Sequence, residues 1–251
     1  MHQQSARIVP GAKVAVMFLH GICGSVNQFR NVIPLEQFVP DDCSYYSLLY
    51  PGHGGSVLDF ANSSMKEWTE YVWYIFRTLS ETHDKILLVG HSMGTLFSIH
   101  LALEFPEKVA ALLLVEVPLR VGIKGYGAKN LYRWSRNKLD LTDPLQAATA
   151  QVVGIEPSDR MLHYLRWIPR LLELVALMHQ TSTMVKQLQQ EVIAYQSPRD
   201  ELVSVRSAKI LERSGRVDVR YFTRSTHFHF DAEESRQIQA IFLQMLTDQK
   251  Q

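Results

Sequence analysis

The stretch Leu87–Leu96, LLVGHSMGTL, decides how the rest of the chain is read. Ile86 to Val89 is a short apolar run of the kind that forms a buried strand. It stops at Gly90, and Gly94 opens what reads as a helix. Between the two glycines lie His91, Ser92 and Met93. A very sharp strand-to-helix turn brings the positions two before and two after its apex together, so only residues without side chains fit there. The apex residue, Ser92, is then held in strained backbone geometry with its hydroxyl projecting above the sheet edge. The N–H of Met93 points into the same space from a helix N-terminus, where anions are favoured.

Around this seam, apolar runs alternate with segments of helical period. VAVMFL (14–19), SYYSLL (44–49), KILLVG (85–90) and VAALLLVEV (109–117) read as strands. Their apolarity is continuous rather than alternating, the habit of strands covered on both faces in a parallel sheet. Ser64 and Glu67 form a capping box. Behind it Trp68, Tyr71, Val72, Ile75, Phe76 and Leu79 share one helical face. Asp231 and Glu234 open a last helix with Ile238, Ile241, Phe242, Met245 and Leu246 as its stripe. The helix after Gly94 is expected to end before Pro106. Ser25 with Gln28 is read as the cap of another helix, with Phe29, Val32 and Ile33 facing the core. Strand character returns at 191–195 and in VDVRYF (217–222). Strand–helix alternation of this kind predicts a doubly wound α/β sheet.

The middle is different. From Val121 to Gln190 no convincing strand is found. Asp143-Pro144 is a helix start, Ser158 is a candidate cap for a helix ending near Pro169, and LLELVALM (171–178) is strongly apolar. The expected organisation is a core made of 1–120 and 191–251, interrupted by a helical insertion at 121–190.

The totals narrow the function classes. Lysine and arginine number 26 against 25 aspartates and glutamates, so nothing points to nucleic acid or an anionic membrane surface. Two cysteines, Cys23 and Cys43, are too few for a disulfide framework or a cysteine-rich zinc site. MHQQSARIVPGAK lacks the apolar stretch of a signal peptide, and no run approaches a membrane span. The expectation is a soluble cytoplasmic protein that acts on a small molecule, without metal or organic cofactor.

HGICGS (20–25), YPGHGGS (50–56), GHSMG (90–94), FPEKV (105–109), SPRDELV (197–203) and STHFHFD (225–231) together resemble the α/β-hydrolase-fold serine hydrolases. The likeness is strongest to bacterial carboxylesterases and monoacylglycerol lipases with a small helical cap. The resemblance implies an α/β-hydrolase fold and ester hydrolysis through an acyl-enzyme on Ser92. It also implies a triad in the order serine, acid, histidine.

Among the histidines after Ser92, His100 follows the seam within its helix, and His163 and His179 lie in the insertion. His227 and His229 follow the last strand, and His227 is the preferred base, with His229 its competitor. The family has glycine where this chain has Thr226. Asp200, a short turn after a strand, is the preferred acid. Glu116 is its rival, because some relatives carry their acid after that strand, and Asp218 lies within a strand. His53 precedes the serine and is not the base, and YPGHGGS is read as a tight loop. The N–H groups of Ile22 and Met93 are the expected oxyanion donors, with Gly21 letting the backbone turn under the substrate and His20 holding the loop.

Cys23 has no seam around it and is read as a wall residue. Gly21, Cys23, His91, Trp134, Trp167 and Leu171 are expected at the substrate. Leu172, Val175 and Met178 are further candidates for an apolar wall formed by the insertion, acting as a lid. Acyltransferases, thioesterases, quinone-biosynthesis lyases and carbon–carbon bond hydrolases share the same seam. A carbon–carbon hydrolase would draw on cationic side chains, for which Arg120, Lys124, Arg133 and Arg136 are available. A non-catalytic ligand-binding relative is the non-enzyme reading.

Overall fold

A computed structural model describes residues 3–249. Its strands are β1 (Ser5–Arg7), β2 (Val14–Leu19), β3 (Ser44–Ser47), β4 (Lys85–His91), β5 (Val109–Val115), β6 (Glu191–Gln196) and β7 (Asp218–Tyr221). They form one sheet in the order β1-β3-β2-β4-β5-β6-β7. Only the pairing of β1 with β3 is antiparallel. β1, three residues at the sheet edge, is too short to leave a periodic signal in the sequence.

Alternation along the strands builds two cores. Ala15, Met17 and Leu19 of β2 face one side, with Trp68, Val72 and Phe76 of α2 (Met65–Thr82) and Leu96 and Phe97 of α3 (Met93–Glu104). Val14, Val16 and Phe18 face the other, with Phe29, Ile33 and the Ile238, Phe242 and Met245 stripe of α9 (Ala232–Asp248). All six residues of β2 are buried, which is why its sequence reads as one apolar run rather than an alternating one.

The chain direction across the sheet reverses between β2 and β4. β2 leads to β3 on one side, while β4 pairs with β2 on the other, with Leu19 opposite Gly90. In open α/β sheets the crevice outside the carboxyl ends of such neighbouring strands is where ligands bind. The loops that open there carry Gly21–Gly24 and Ser92.

Helix starts follow local chemistry, with corrections to the sequence reading. Ser64 accepts from the N–H of Glu67, and Asp143 accepts from Leu145 and Gln146 at the start of α5 (Pro144–Val152). A full capping box forms where none was read, between Ser56 and Asp59 at α1 (Val57–Asn62). Ser25 caps nothing. Its hydroxyl donates to the carbonyl of Val152 at 3.1 Å, and the segment after it is a single π-helical turn, Gln28–Val32. Asp231 caps α9, but Glu234 does not answer it and turns instead to the loop at Thr223–Ser225. Pro169 does not end a helix. It lies in the first turn of α7 (Ile168–Met184), where its missing N–H costs no hydrogen bond.

Between β5 and β6 the described chain forms α4 (Gly125–Ser135), α5, α6 (Leu162–Leu165) and α7, and no strand. Trp167 Nε1 donates to the carbonyl of Val57 at 3.0 Å, and Arg170 donates to the carbonyl of Ala61 at 3.1 Å, tying the start of α7 to α1. Its far end packs on α3, where Thr181 and His100 are hydrogen bonded at 3.0 Å. No helix among the described residues is long and apolar enough to cross a membrane.

The tightest contact in the fold lies at the seam. A Cβ added to Gly94 would sit 1.9 Å from the carbonyl oxygen of Leu19. Backbone cannot yield as a flexible side chain does, so Gly94→Ala is expected to cost more than about 2 kcal/mol. Gly125, with nothing within 4 Å of such a Cβ, is the control. Urea unfolding of Gly94→Ala and Gly125→Ala checks this, and equal stabilities would refute it.

Candidate functional site

Ser92 is the N-cap of α3, with φ 51° and ψ −123°. Few non-glycine residues adopt a positive φ, and one held there by its surroundings stores strain at a functional position. Three bonds fix it. Its N–H donates to the carbonyl of Val115 at 2.9 Å, and its carbonyl accepts from Thr95 N–H at 2.9 Å and Thr95 Oγ1 at 2.6 Å. Met93 begins the helix, so its N–H is one of the donors that no preceding turn can satisfy.

The chain after β2 comes up against the serine. A Cβ on Gly21 would lie 2.9 Å from Ser92 Cβ. Beyond it Cys23 has φ 57°. This loop is braced on both sides of Cys23. The N–H of Cys23 donates to His53 Nε2 at 3.2 Å, and its carbonyl accepts from Gly154 N–H at 2.9 Å. His53 is buried among Tyr50, Phe60 and Trp68. Desolvation holds its pKa down at about 4, against weaker opposing hydrogen bonds from the backbone. It is therefore a neutral acceptor at physiological pH. The sequence reading gave YPGHGGS only the role of a tight loop; the histidine braces the loop that carries Ile22. Burial also pushes the Cys23 thiol far up, which leaves it a poor nucleophile.

His227 and Asp200 meet at the other side. His227 Nδ1 lies 2.7 Å from Asp200 Oδ2, and both side chains are buried. The remaining Asp200 oxygen, Oδ1, accepts from the N–H groups of Leu202 and Val203, each at 2.7 Å. Burial alone would raise the pKa of Asp200, but the imidazole, the Glu116 carboxyl and the Val203 N–H outweigh it and hold it at about 2. Burial would lower that of His227, yet the net shift is upward because of Asp200 and, further off, Glu201. An imidazole so oriented has its Nδ1 proton committed to a carboxylate and Nε2 left for proton transfer.

Three nearby groups complete the support. Glu201 Oε2 accepts from the backbone N–H of His227 at 2.9 Å. His91 Nε2 contacts the His227 carbonyl at 3.0 Å, and the two rings lie 4.8 Å apart. Burial and the neighbouring His227 hold His91 at about 3, so it stays neutral. The Glu234 carboxylate accepts from the N–H groups of Thr223, Arg224 and Ser225 and fixes the loop leading to His227. Nothing in sequence spacing marks Glu201 or Glu234 for these tasks.

The rival residues fall elsewhere. The N–H of His229 donates to Thr226 Oγ1 at 3.3 Å, and its carbonyl accepts from Thr226 N–H. Asp218 is half exposed and paired with Arg220. Glu116 reaches the site, but its carboxyl touches Asp200 rather than taking the imidazole.

Ser92 and His227 open onto one cavity of about 500 Å³. Of the residues expected at the substrate, Cys23, Trp134, Trp167 and Leu171 line it, as do the further candidates Val175 and Met178 and the expected backbone donor Ile22. Val152, Val153, Tyr164, Leu174, Leu202 and Phe228 join them, unsignalled by any motif. Gly21 and His91 are not in its wall; both lie beneath Ser92 and His227. Leu172 points away and is exposed. Among the described residues no lysine, arginine or carboxylate lines the cavity.

With this geometry established, the chain can be compared with known proteins. Residues 14–152, more than half of it, match the family model described as the alpha/beta hydrolase fold. The chain belongs to the α/β hydrolase family. It is 30% identical over 161 residues to the dihydrolipoyllysine-residue acetyltransferase component of the acetoin cleaving system of Cupriavidus necator, covering 62% of this chain and 41% of that protein. It is 29% identical over 100 residues to putative esterase/lipase 2 of Mycoplasma pneumoniae, covering 39% of this chain and 36% of that one. The chain thus spans about two fifths of the length of the curated relatives it matches. The crystal structure of Paleococcus ferrophilus monoacylglycerol lipase superposes with a TM-score of 0.67 at 16% identity, over 97% of this chain and 98% of that one. At that identity the likeness concerns the fold.

The neutral, buried state of His53 has a measurable cost in acid. The unfolded chain takes up a proton near the ordinary histidine pKa of about 6.5, which the folded imidazole refuses until about 4. Its contribution to stability is therefore present above pH 6.5 and lost as pH falls. Urea unfolding at pH 7.5 and pH 5 should show His53→Gln losing less stability on acidification than the wild type, by about 2 kcal/mol. Equal losses would mean that His53 is protonated in the fold.

Proposed function

We propose that the protein is a serine hydrolase that cleaves carboxylic esters with an apolar acyl group. One observation carries the reading. A buried His227–Asp200 pair at 2.7 Å opens onto the same apolar cavity as a serine held at positive φ on a strand-to-helix seam.

Ser92 Oγ attacks the ester carbonyl while His227 Nε2 takes its proton. Asp200 holds the tautomer and stabilises the imidazolium that forms. The oxyanion of the tetrahedral intermediate is received by the N–H of Met93, at the N-terminus of α3, and that of Ile22, in the loop braced by His53. His227 then gives its proton to the leaving alcohol. Water enters, is deprotonated by the same imidazole, and releases the acid from Ser92.

The substrate class rests on the cavity wall. Trp134, Tyr164 and Trp167 form an aromatic cluster on one side, and Leu174, Val175 and Met178 face it from α7. An acyl chain there exchanges water for hydrocarbon at about 0.8 kcal/mol per methylene. A carboxylate would meet no cation. Arg120, Lys124, Arg133 and Arg136, the side chains a carbon–carbon hydrolase would need, are absent from the wall. In this reading 121–190 is the cap of the site and the remaining residues its core. The far half of α7 docks on α3, so movement that admits substrate is expected from α4 and α6 rather than from the whole segment.

Initial rates on p-nitrophenyl esters of graded acyl length, with Ser92→Ala beside the wild type, test the proposal. The variant should lose at least ~10⁴-fold in turnover, and near-normal activity would end it. A second expectation concerns pH. Because the pKa of His227 is raised, kcat/KM should climb with pH through a single group above 6.5, the ordinary value. A profile that is flat between pH 6 and 8 would remove His227 from the role of base.

A further inference from the structure

Glu116 is a buried carboxyl that reaches Asp200 and has no part in the proposed reaction. It follows β5 with φ 54°, and its side chain is wholly buried. Its backbone N–H donates to the carbonyl of Tyr195 at 2.9 Å, which fixes the strained turn. Oε2 accepts from Ser197 N–H at 3.1 Å, while Oε1 finds no donor N–H or hydroxyl. The carboxyl is instead in hydrogen-bonding contact with that of Asp200.

Two carboxylates cannot share such a contact unless a proton lies between them. The surroundings decide which one holds it. Asp200 has the His227 imidazole and two backbone donors. Glu116 has one backbone donor, and no lysine or arginine pairs with it among the described residues. Glu201 faces it from the loop after β6, adding a further negative charge, and the other titratable groups around the pair are His227, His91 and, beside Asp200 and Glu201, the Tyr126 phenol.

Building on the ester-hydrolase reading, we propose that Glu116 is a positioning residue: a neutral carboxylic acid that donates a hydrogen bond to Asp200 and keeps that carboxylate ionised and aimed at His227 Nδ1. The donated bond spreads the negative charge of Asp200 over a second partner, which limits how strongly His227 holds its proton. Burial, Asp200 and Glu201 all raise the pKa of Glu116, in keeping with the neutral form.

The test has two arms on Glu116→Gln and one on Glu116→Leu. In the first, Tm is followed from pH 5.5 to 9. The unfolded wild type releases this proton above the ordinary glutamate range while the folded chain keeps it, so rising pH favours unfolding. Glutamine carries no such proton. The Tm difference should therefore move steadily in favour of Glu116→Gln as pH rises, and parallel curves would show an ionised Glu116 and overturn the proposal. In the second, the acid limb of kcat/KM is measured. Replacing one neutral donor by another leaves the limb in place, whereas a fall of more than about half a unit would mean that a negative charge had been removed. In the third, glutamine, which can still donate, should keep kcat within about tenfold of the wild type, and leucine should lose at least about tenfold more. Equal losses would overturn the positioning role. Should Glu116→Leu not fold, the first two arms decide. A wild type that hydrolyses no ester fails the proposed function and the positioning role with it, while the Tm arm still reads the protonation of Glu116.

Discussion

The site depends on one close approach, the backbone of β2 passing under the start of α3. Gly94 lies against the carbonyl of Leu19, and parallel pairing of β2 with β4 sets Leu19 opposite Gly90. That contact leaves no room for a side chain, and it presses the chain into the turn that puts Ser92 at positive φ. It also sets the loop after β2 beside the serine, because the two strands end level. One packing constraint thereby aligns a hydroxyl, a helix N-terminus and a second backbone segment at the switch point of the sheet. The buried faces of β2 and β4 supply the hydrophobic stabilisation that holds this strained turn in place.

The second organising feature is a cluster of buried carboxyls. Asp200, Glu201 and Glu116 all approach His227 or its immediate partner. In a water-excluded setting such groups are costly unless each finds a partner. Asp200 finds the imidazole and two backbone donors. Glu201 finds the backbone of His227, and Glu234 a loop of N–H groups below it. The carboxyls fix the backbone around His227 as well as its protonation, which ties the aim of the imidazole to the electrostatics of three separate loops.

The sheet was legible because its central strands are buried on both faces and leave continuous apolar runs. The seam was legible because its glycines have a steric reason. The choice of His227 and Asp200 came from chain order and family likeness, and the structure brings the two together at 2.7 Å. What spacing could not reveal is what depends on contacts distant in the chain. His53 braces Cys23 from thirty residues away. Gly154, between β5 and β6, holds the same loop from the other side. The box of Ser25 with Gln28 was misread because the Ser25 hydroxyl donates to Val152, more than a hundred residues later. Pro169 was misread as a helix end because proline marks both the end of one helix and the first turn of the next. The cavity wall was read only in part for the same reason, since Val152 reaches it from the end of α5 and Leu202 and Phe228 from two different loops.

The central claim is that Ser92 is the reacting nucleophile of an apolar acyl site. Its most direct test is reaction of the intact protein with a p-nitrophenyl alkylphosphonate, followed by mass measurement and peptide mapping. The account predicts one phosphonyl group per chain, bonded to Ser92, with faster labelling by longer alkyl reagents up to the limit of the cavity. No labelling, or labelling at Cys23 or another residue while Ser92 stays free, would contradict it.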